Sequence, residues 1–136
     1  MITTINEFKL FENINSIDYT IKYEDWQHSQ KIILRNEHSP NQKLIGVLDY
    51  TINVDHIYIE SIGIMRFYAR MGFAKLLFDK LVEIAKDKNI KTTKLTAAPL
   101  RDDVNIDILV NMYTKWGFKA TFENNILKTV DMIYNV

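Results

Sequence analysis

Residues 60–86 read ESIGIMRFYARMGFAKLLFDKLVEIAK, and their hydrophobic period changes partway along. Apolar residues in the segment up to 65 predict a strand. From Phe73 onward apolar residues recur every three or four positions among Lys, Asp and Glu, which predicts an amphipathic helix of about four turns. A short basic loop joins the two. The stretch therefore predicts a strand–loop–helix unit whose helix begins at Gly72-Phe73-Ala74.

The predicted start of this helix has the composition of an anion site. The first N–H groups of a helix have no acceptor within the helix, and they lie at the positive end of its dipole. Gly72 allows a ligand close to the backbone, and Ala74 keeps the first turn free of bulk. Arg66 and Arg70 add positive charge nearby. These residues suit a phosphate or diphosphate, although a purely structural helix start has the same features.

The elements on either side predict an α/β (α+β) fold with a mixed, mostly antiparallel central sheet, two main helices and a C-terminal β-hairpin. Residues 8–11 are an early strand or an N-terminal arm, and Ser39-Pro40-Asn41 supplies a turn. Asp102 and Asp103 are expected to cap the second helix. Strands are predicted at 16–25, 30–36, 43–53, 56–65, 92–98, 117–123 and 126–136, with the second helix at 104–115 and an Asn124-Asn125 turn in the final hairpin.

Length and composition exclude several classes of protein. The 136 residues, 47% of them apolar, predict a single domain spanning 1–136. Seventeen basic and 17 acidic residues give a net charge of +0, which disfavours a nucleic-acid binder. An RNA-binding surface using Tyr19, Tyr23 and Trp26 is a minor alternative. With no cysteine there is no disulfide or thiol nucleophile, and no run is long enough to span a membrane. We expect a cytoplasmic protein.

Two motifs resemble those of the GCN5-related N-acetyltransferase (GNAT) family. The family signature is Arg or Gln, two residues, Gly, one residue, then Gly or Ala, at a strand-to-helix junction; residues 69–74 (ARMGFA) occupy that place. The family also has a helix ending in Tyr, three residues and Gly-Phe, found here at 113–118 (YTKWGF). One predicted strand separates the motifs, as in the family. The resemblance covers about residues 43 to 136.

The resemblance implies an acetyl-CoA-dependent N-acetyltransferase that moves an acetyl group directly to an amine, without a metal. The tyrosine of the second motif, Tyr113, would protonate the departing CoA thiolate, and Glu60 would be the general base. The edge of the strand at Ile62, Gly63 and Ile64 would pair with the acetyl carbonyl and pantetheine. The diphosphate would be bound by Arg70, Met71, Gly72, Phe73, Ala74 and Lys75.

Two departures from the family bear on the function. Ala69 occupies the position of the usual Arg or Gln. The usual one or two helices between the first two strands are absent, because no room for them exists between Tyr19 and Ile33. The acceptor side should therefore be open, which favours a macromolecular amine such as a protein Lys or N-terminus, or a partner chain that completes the site. The alternative is a catalytically degenerate CoA-binding or protein-interaction module.

Several single residues have competing interpretations. Tyr113 is an acid or a core tyrosine, and Glu60 is a base or a solvated strand residue. His56 is an alternative base, although a His beside Asp in a turn is more often a surface residue. Gly63 marks either a β-bulge that splays the strand or a close packing contact. The terminal hairpin and an exposed strand edge are both compatible with a homodimer.

Overall fold

The computed structural model describes residues 2–14, 17–26, 29–38, 43–99 and 105–136, and over these ranges the chain forms one eight-stranded sheet and two α-helices. The predicted turn at 39–41 and the residues Asp102 and Asp103 lie outside the described ranges. The helices are α1 (Phe73–Asp87) and α2 (Ile106–Trp116). The strands are β1 (Ile2–Ile14), β2 (Ile17–Trp26), β3 (Gln30–Asn36), β4 (Leu44–Ile52), β5 (Ile57–Ile64), β6 (Thr92–Ala97), β7 (Lys119–Asn124) and β8 (Thr129–Asn135).

The order of strands across the sheet is β1-β2-β3-β4-β5-β6-β8-β7. Every neighbouring pair is antiparallel except β5 and β6, which are parallel and are connected through α1. The pairing of β5 with β6 covers Ile57 to Ile59 against Thr93 to Leu95 and then stops. Beyond it, residues 60–64 of β5 and 96–97 of β6 are not paired with each other. We call this opening the splay. The mixed sheet, the two helices and the C-terminal hairpin confirm the predicted fold class.

A β-bulge at Glu60 begins the splay. The β4–β5 register steps from Tyr50 opposite Ile59 to Asp49 opposite Ser61, so Glu60 is the extra residue. The bulge changes the alternation of side chains. Ile57 and Ile59 face the core, and after the bulge Ile62 and Ile64 pack against that same core. The expectation of a bulge or a packing contact at Gly63 was wrong, because Gly63 pairs regularly with Val47 and a Cβ on it would meet nothing within 4 Å.

The glycine that the packing does require is Gly46 on β4. A Cβ at this position would lie 2.5 Å from Ile64 Cδ1 and 2.7 Å from the carbonyl oxygen of Gly63. The second contact is with backbone, which cannot move aside as a side chain can. Gly46 therefore allows β5 to lie close to β4 next to the splay.

Gly46→Ala should destabilise the protein by about 1–3 kcal/mol, as expected for a side chain forced into a filled site. Urea unfolding followed by circular dichroism measures this change. Gly63→Ala, one strand away, is the matched control and should stay within about 0.5 kcal/mol of the wild type, because its Cβ enters open space. Equal effects of the two substitutions would show that the close contact at Gly46 is unimportant.

Both helices pack on one face of the sheet. Their contact is a stacked pair, Phe78 of α1 and Trp116 of α2, with ring centroids 5.3 Å apart. The sheet contributes alternate residues to this core, including Tyr19, which is fully buried and so cannot serve as an RNA-stacking residue. The opposite face, which we call the open face, is covered by no helix among the described residues. Its strand positions include Lys31, Asp49, Thr51, Tyr58, Ser61, Lys94, Thr96, Asp131 and Ile133.

The open face follows from the short connections between β1 and β5. Strand β2 ends at Trp26 and β3 begins at Gln30, so no helix intervenes between them. The predicted loss of the family's first helices is therefore confirmed. The early strand is longer than the predicted 8–11 segment, since β1 runs from Ile2 to Ile14 along β2. Among the described helices, neither has the length and apolar character needed to cross a membrane.

Two predicted helix and turn boundaries were wrong. The α2 N-cap is Asn105, whose side chain accepts a hydrogen bond from the Asp107 N–H at 2.8 Å, and not Asp102 or Asp103. The final hairpin turns through 125–128 instead of a two-residue Asn-Asn turn. The Asn124 side chain ends β7 and accepts from the N–H groups of the second and third residues after it, which favours the longer turn.

Candidate functional site

The edge of β5 in the splay offers backbone hydrogen-bonding groups. Met65 N–H donates to Ile45 O at 2.8 Å. Hydrogen-bonded pairs alternate along an antiparallel ladder, so Gly63 also bonds toward β4. The N–H and C=O groups of Ile62 and Ile64 then point the other way, into the splay. The edge that the sequence assigned to a ligand thus has its polar groups directed toward a gap between strands.

The loop that leads from β5 to α1 is anchored to the core by Tyr68. This residue belongs to a short 3-10 helix (Arg66–Tyr68), and its ring meets the Phe73 ring edge-on at 6.1 Å. The Asn36 side-chain amide also donates to the Tyr68 hydroxyl at 3.0 Å. Tyr68 was not singled out from the sequence, because a tyrosine in a basic loop looks exposed until its partners on β3 are known.

Two residues of the last turn before α1 have a left-handed backbone conformation. Arg70 has φ +61° and Gly72, the N-cap, has φ +91°. The first helical hydrogen bond is Leu76 N–H to Gly72 O at 3.1 Å, so the N–H groups of residues 73–75 precede the ladder. A Cβ at Gly72 would meet nothing within 4 Å, which leaves space above these donors. Left-handed turns of this kind and a helix N-terminus both suit an anion.

The side chains around this turn have different roles. Phe73 is 1% exposed and anchors the helix in the core, so its backbone alone is available to a ligand. Met71 also packs against the core. Arg66 and Arg70 are exposed. Lys75 is occupied within the helix, where its ammonium group lies 2.5 Å from an Asp79 carboxylate oxygen.

Tyr113 lies on α2 and combines a packed ring with a protonated phenol. Its ring contacts Trp116 edge-on at 5.2 Å and Phe118 at 5.8 Å, so the core interpretation of the sequence holds for the ring. Burial raises the pKa of the Tyr113 phenol above its ordinary value. The hydroxyl therefore stays protonated across the neutral range and can donate a proton.

Glu60 lies at the bulge with an exposed carboxylate. Thr51 Oγ1 donates to Glu60 Oε1 at 2.9 Å, which places the carboxylate on the open face beside the splay. No contact among the described residues joins Glu60 to Tyr113. His56 lies before the other end of β5, where its Nδ1 is 2.7 Å from an Asp55 carboxylate oxygen, so the structure separates this alternative base from the splay. Within the described ranges no three metal-binding side chains cluster.

A hydrogen-bonded row of polar side chains at the foot of the splay was not predicted from the sequence. Tyr58 OH donates to Thr96 Oγ1 at 2.8 Å, and Thr96 Oγ1 donates to Asp131 Oδ1 at 2.9 Å. The three residues lie on β5, β6 and β8. Strand alternation predicts that each faces away from the core, but their contact depends on the register between strands, which the sequence does not carry.

Comparisons with known proteins concern the family and the fold. The model of the "Acetyltransferase (GNAT) family" matches residues 2–118, which extends further toward the N-terminus than the motifs indicated and stops at the end of the second one. A search of proteins with curated functions gave no match.

Solved structures share the fold at low sequence identity. The PaiA N-acetyltransferase from Thermoplasma acidophilum, in complex with coenzyme A, superposes with a TM-score of 0.64 and 16% identity over 80% of this chain, which spans only 62% of that protein. The ribosomal-protein-S18-alanine N-acetyltransferase from Escherichia coli gives 0.63 and 13% over 82% of this chain and 72% of its own. The anti-CRISPR protein AcrVA5 gives 0.58 and 20%, with 79% of this chain matching 98% of that one. With the family model covering most of its length, the chain belongs to the acetyltransferase (GNAT) family.

Proposed function

We propose that the protein is an N-acetyltransferase that transfers the acetyl group of acetyl-CoA directly to an amine. The observation that carries this proposal is the position of the splay. An unpaired strand edge leads through one short loop to a helix start with free N–H groups. A long ligand with an amide-rich arm and a diphosphate matches both features, and family membership supports the same ligand.

The residues present fit acetyl-CoA. Backbone groups of Ile62 and Ile64 would hold the pantetheine amides and the acetyl carbonyl, with Gly63 between them free of side chain. The N–H groups of residues 70–75 would hold the diphosphate, with Arg70 and Arg66 supplying charge. Backbone donors supply most of this site, so Ala69 in place of the usual Arg or Gln is compatible with binding.

Acetyl transfer then removes two protons from the acceptor ammonium and adds one to the CoA thiolate. Glu60 removes a proton from the acceptor ammonium, since only a neutral amine attacks a thioester. The nitrogen forms the new C–N bond as the C–S bond breaks, and Tyr113 donates its phenolic proton to the departing thiolate. The nitrogen then loses its second proton to water, and the Tyr113 phenolate takes up a proton from water in turn. Backbone N–H groups of the splayed strand stabilise the developing oxyanion. No enzyme nucleophile is required, and positioning of the two substrates supplies much of the rate.

The open face bears on the acceptor. Because no described helix covers it beside Glu60, a large amine can reach the splay. A protein Lys or N-terminus is one such acceptor, and a partner chain that completes the site is the alternative. The second candidate function is a CoA-binding or protein-interaction module without catalysis. It rests on Ala69 and on the absence of a described helix over the open face beside Glu60.

Tyr113→Phe tests the proposed chemistry. The substitution keeps the ring and its contacts with Trp116 and Phe118, and it removes the proton donor. We expect kcat to fall about 100-fold, the lower range for loss of a general acid, with CoA affinity unchanged. Thiol release from acetyl-CoA with a panel of peptide N-termini, peptide lysines and small amines measures the rate, and calorimetry measures the affinity.

Tyr134→Phe is the matched control, because Tyr134 packs in the same aromatic cluster, edge-on to Phe78 at 5.1 Å. It should leave kcat unchanged. Equal rates for Tyr113→Phe and the wild type would remove the assigned acid. CoA binding with no turnover on any amine would favour the non-catalytic module, and no CoA binding at high micromolar concentration would end both candidates.

A further inference from the structure

A pocket of about 370 Å³ lies on the open face, at the foot of the splay. It spans β5, β6, β7 and β8, and its lining includes two opposite charges, three hydroxyl groups and one aliphatic side chain. These residues are Tyr58, Lys94, Thr96, Thr121, Asp131 and Ile133. The volume is sufficient for an amino-acid-sized ligand, and no part of the proposed acetyl-CoA site uses these side chains.

The two charges of the pocket lie diagonally across two neighbouring strands. Lys94 lies opposite Ile133 and Thr96 lies opposite Asp131, so Lys94 and Asp131 are diagonal neighbours across β6 and β8. Diagonal neighbours are about 7–8 Å apart at Cα, a distance that a long side chain such as Lys can span; nevertheless no ion pair joins Lys94 to Asp131. Neither forms an ion pair within 4 Å in the described part of the chain. After the hydrogen bond from His56, the Lys94 charge makes a smaller contribution to lowering the pKa of the exposed Asp55 carboxyl. A ligand with an ammonium group and a carboxylate group could pair with both Asp131 and Lys94.

The carboxylate of Asp131 is held in place by its neighbours. Thr96 Oγ1 donates to its Oδ1, and Tyr58 OH fixes that threonine hydroxyl in turn. Thr121 Oγ1 donates to the Asp131 backbone carbonyl at 3.2 Å. These hydrogen bonds occupy one carboxylate oxygen of Asp131 and leave the second available to a ligand. Preorganised carboxylates of this kind bind ammonium groups through charge-assisted hydrogen bonds.

We propose that this pocket binds the acceptor as an ammonium–carboxylate pair, with the ammonium on Asp131 and the carboxylate on Lys94. The inference rests on the proposed function, whose acceptor it narrows to an α-amine with a carboxylate a few bonds away. A free amino acid has this chemistry, and so does a polypeptide whose N-terminal residue is acidic.

The orientation follows from the position of each charge. Thr96 and Asp131 lie just beyond Leu95, the last β6 residue paired with β5, so the ammonium end faces the splay. Lys94 lies one step further from it. This orientation brings the amine to the splay, where Glu60 lies on the opposite strand, β5. Acetylation turns the ammonium into a neutral amide, so the product loses the charge attraction to Asp131 and should bind more weakly than the acceptor.

Two pairs of probes test the inference without acetyl-CoA. L-alanine against L-alaninamide, and the peptide Glu-Ala-Ala-amide against Gln-Ala-Ala-amide, each differ by one carboxylate. Binding is followed by the shifts of the backbone amide signals of residues 94–96 and 131–133 in two-dimensional NMR. In at least one pair the carboxylate member should bind about tenfold or more tightly, and the pair that does so identifies the source of the acceptor.

The variants separate the two charges. Lys94→Met should abolish the preference for the carboxylate member of that pair. Asp131→Asn should weaken the binding of both members about tenfold or more. Lys119→Met and Glu123→Gln, on the exposed strand β7, are the matched controls and should change nothing. Equal binding within both pairs, equal effects of Lys94→Met and Lys119→Met, or shifts confined to other residues would overturn the inference. Failure of the proposed function is seen separately, as loss of CoA binding in calorimetry.

Discussion

Glu60→Gln should lower kcat about 100- to 1,000-fold at neutral pH, the range expected when a general base is removed. The glutamine keeps the length of the side chain, and its amide oxygen can still accept the Thr51 hydroxyl hydrogen bond seen at 2.9 Å. The bulge should therefore remain intact, and CoA affinity should not change. What is lost is the ability to take a proton from the acceptor.

The pH dependence of kcat identifies the role of Glu60. If Glu60 is the base, the rate of the variant should rise steadily with pH, because more acceptor is already neutral in solution. Glu123→Gln, an exposed carboxylate on β7, is the control and should retain the wild-type rate and profile. A Glu60→Gln enzyme with a wild-type kcat would show that the solvated-residue interpretation of Glu60 is correct.

Gly72→Ala should weaken acetyl-CoA binding at least tenfold. At φ +91° any L-residue is strained, by about 1–2 kcal/mol for the left-handed region. The added Cβ would enter the open space in front of the first N–H groups of α1, where the diphosphate is proposed to bind. Either the backbone shifts and the donors are redirected, or the methyl group occupies the ligand's place. Calorimetric titration with acetyl-CoA measures the loss.

Gly117→Ala is the control for backbone strain. Gly117 also has positive φ, +108°, and a Cβ there would lie 2.9 Å from a Tyr134 ring carbon, so the cost in stability should be at least as large. It lies after α2, away from the diphosphate site, and CoA affinity should stay unchanged at a temperature where both variants are folded. Equal losses of affinity in the two variants would mean that Gly72 acts through stability and not through the site.

The sequence predicted the strands and helices well where the hydrophobic period agreed with the glycines that mark the ends of helices. The change of period between 65 and 73 located β5, the loop and α1, and Gly72 and Gly117 located the start of α1 and the end of α2. The family was recognisable from two short motifs because both lie at such junctions, where backbone conformation restricts the residue type.

Features set by pairing between strands were not predictable. A bulge was one of the two interpretations of Gly63, because glycine is common at bulges, but the position of the bulge at Glu60 depends on the register of β5 against β4. The need for glycine at position 46 follows from the approach of Gly63 and Ile64, which lie on another strand. The contact of Tyr58 with Thr96 and Asp131 likewise joins strands far apart in the chain. None of these relations has a local signal in the sequence.

The short pairing between β5 and β6 has a consequence for the mechanical behaviour of the molecule. Five strands on one side and three on the other share a backbone ladder only from Ile57 to Ile59. A cosubstrate hydrogen-bonded along residues 62–64 would act as a substitute strand and extend the connection between these two groups of strands. Ligand and fold would then be thermodynamically linked, with a gain of RT ln(1 + [L]/Kd), or about 2.7 kcal/mol at a hundredfold excess over Kd. Amide hydrogen exchange in this segment should slow in proportion.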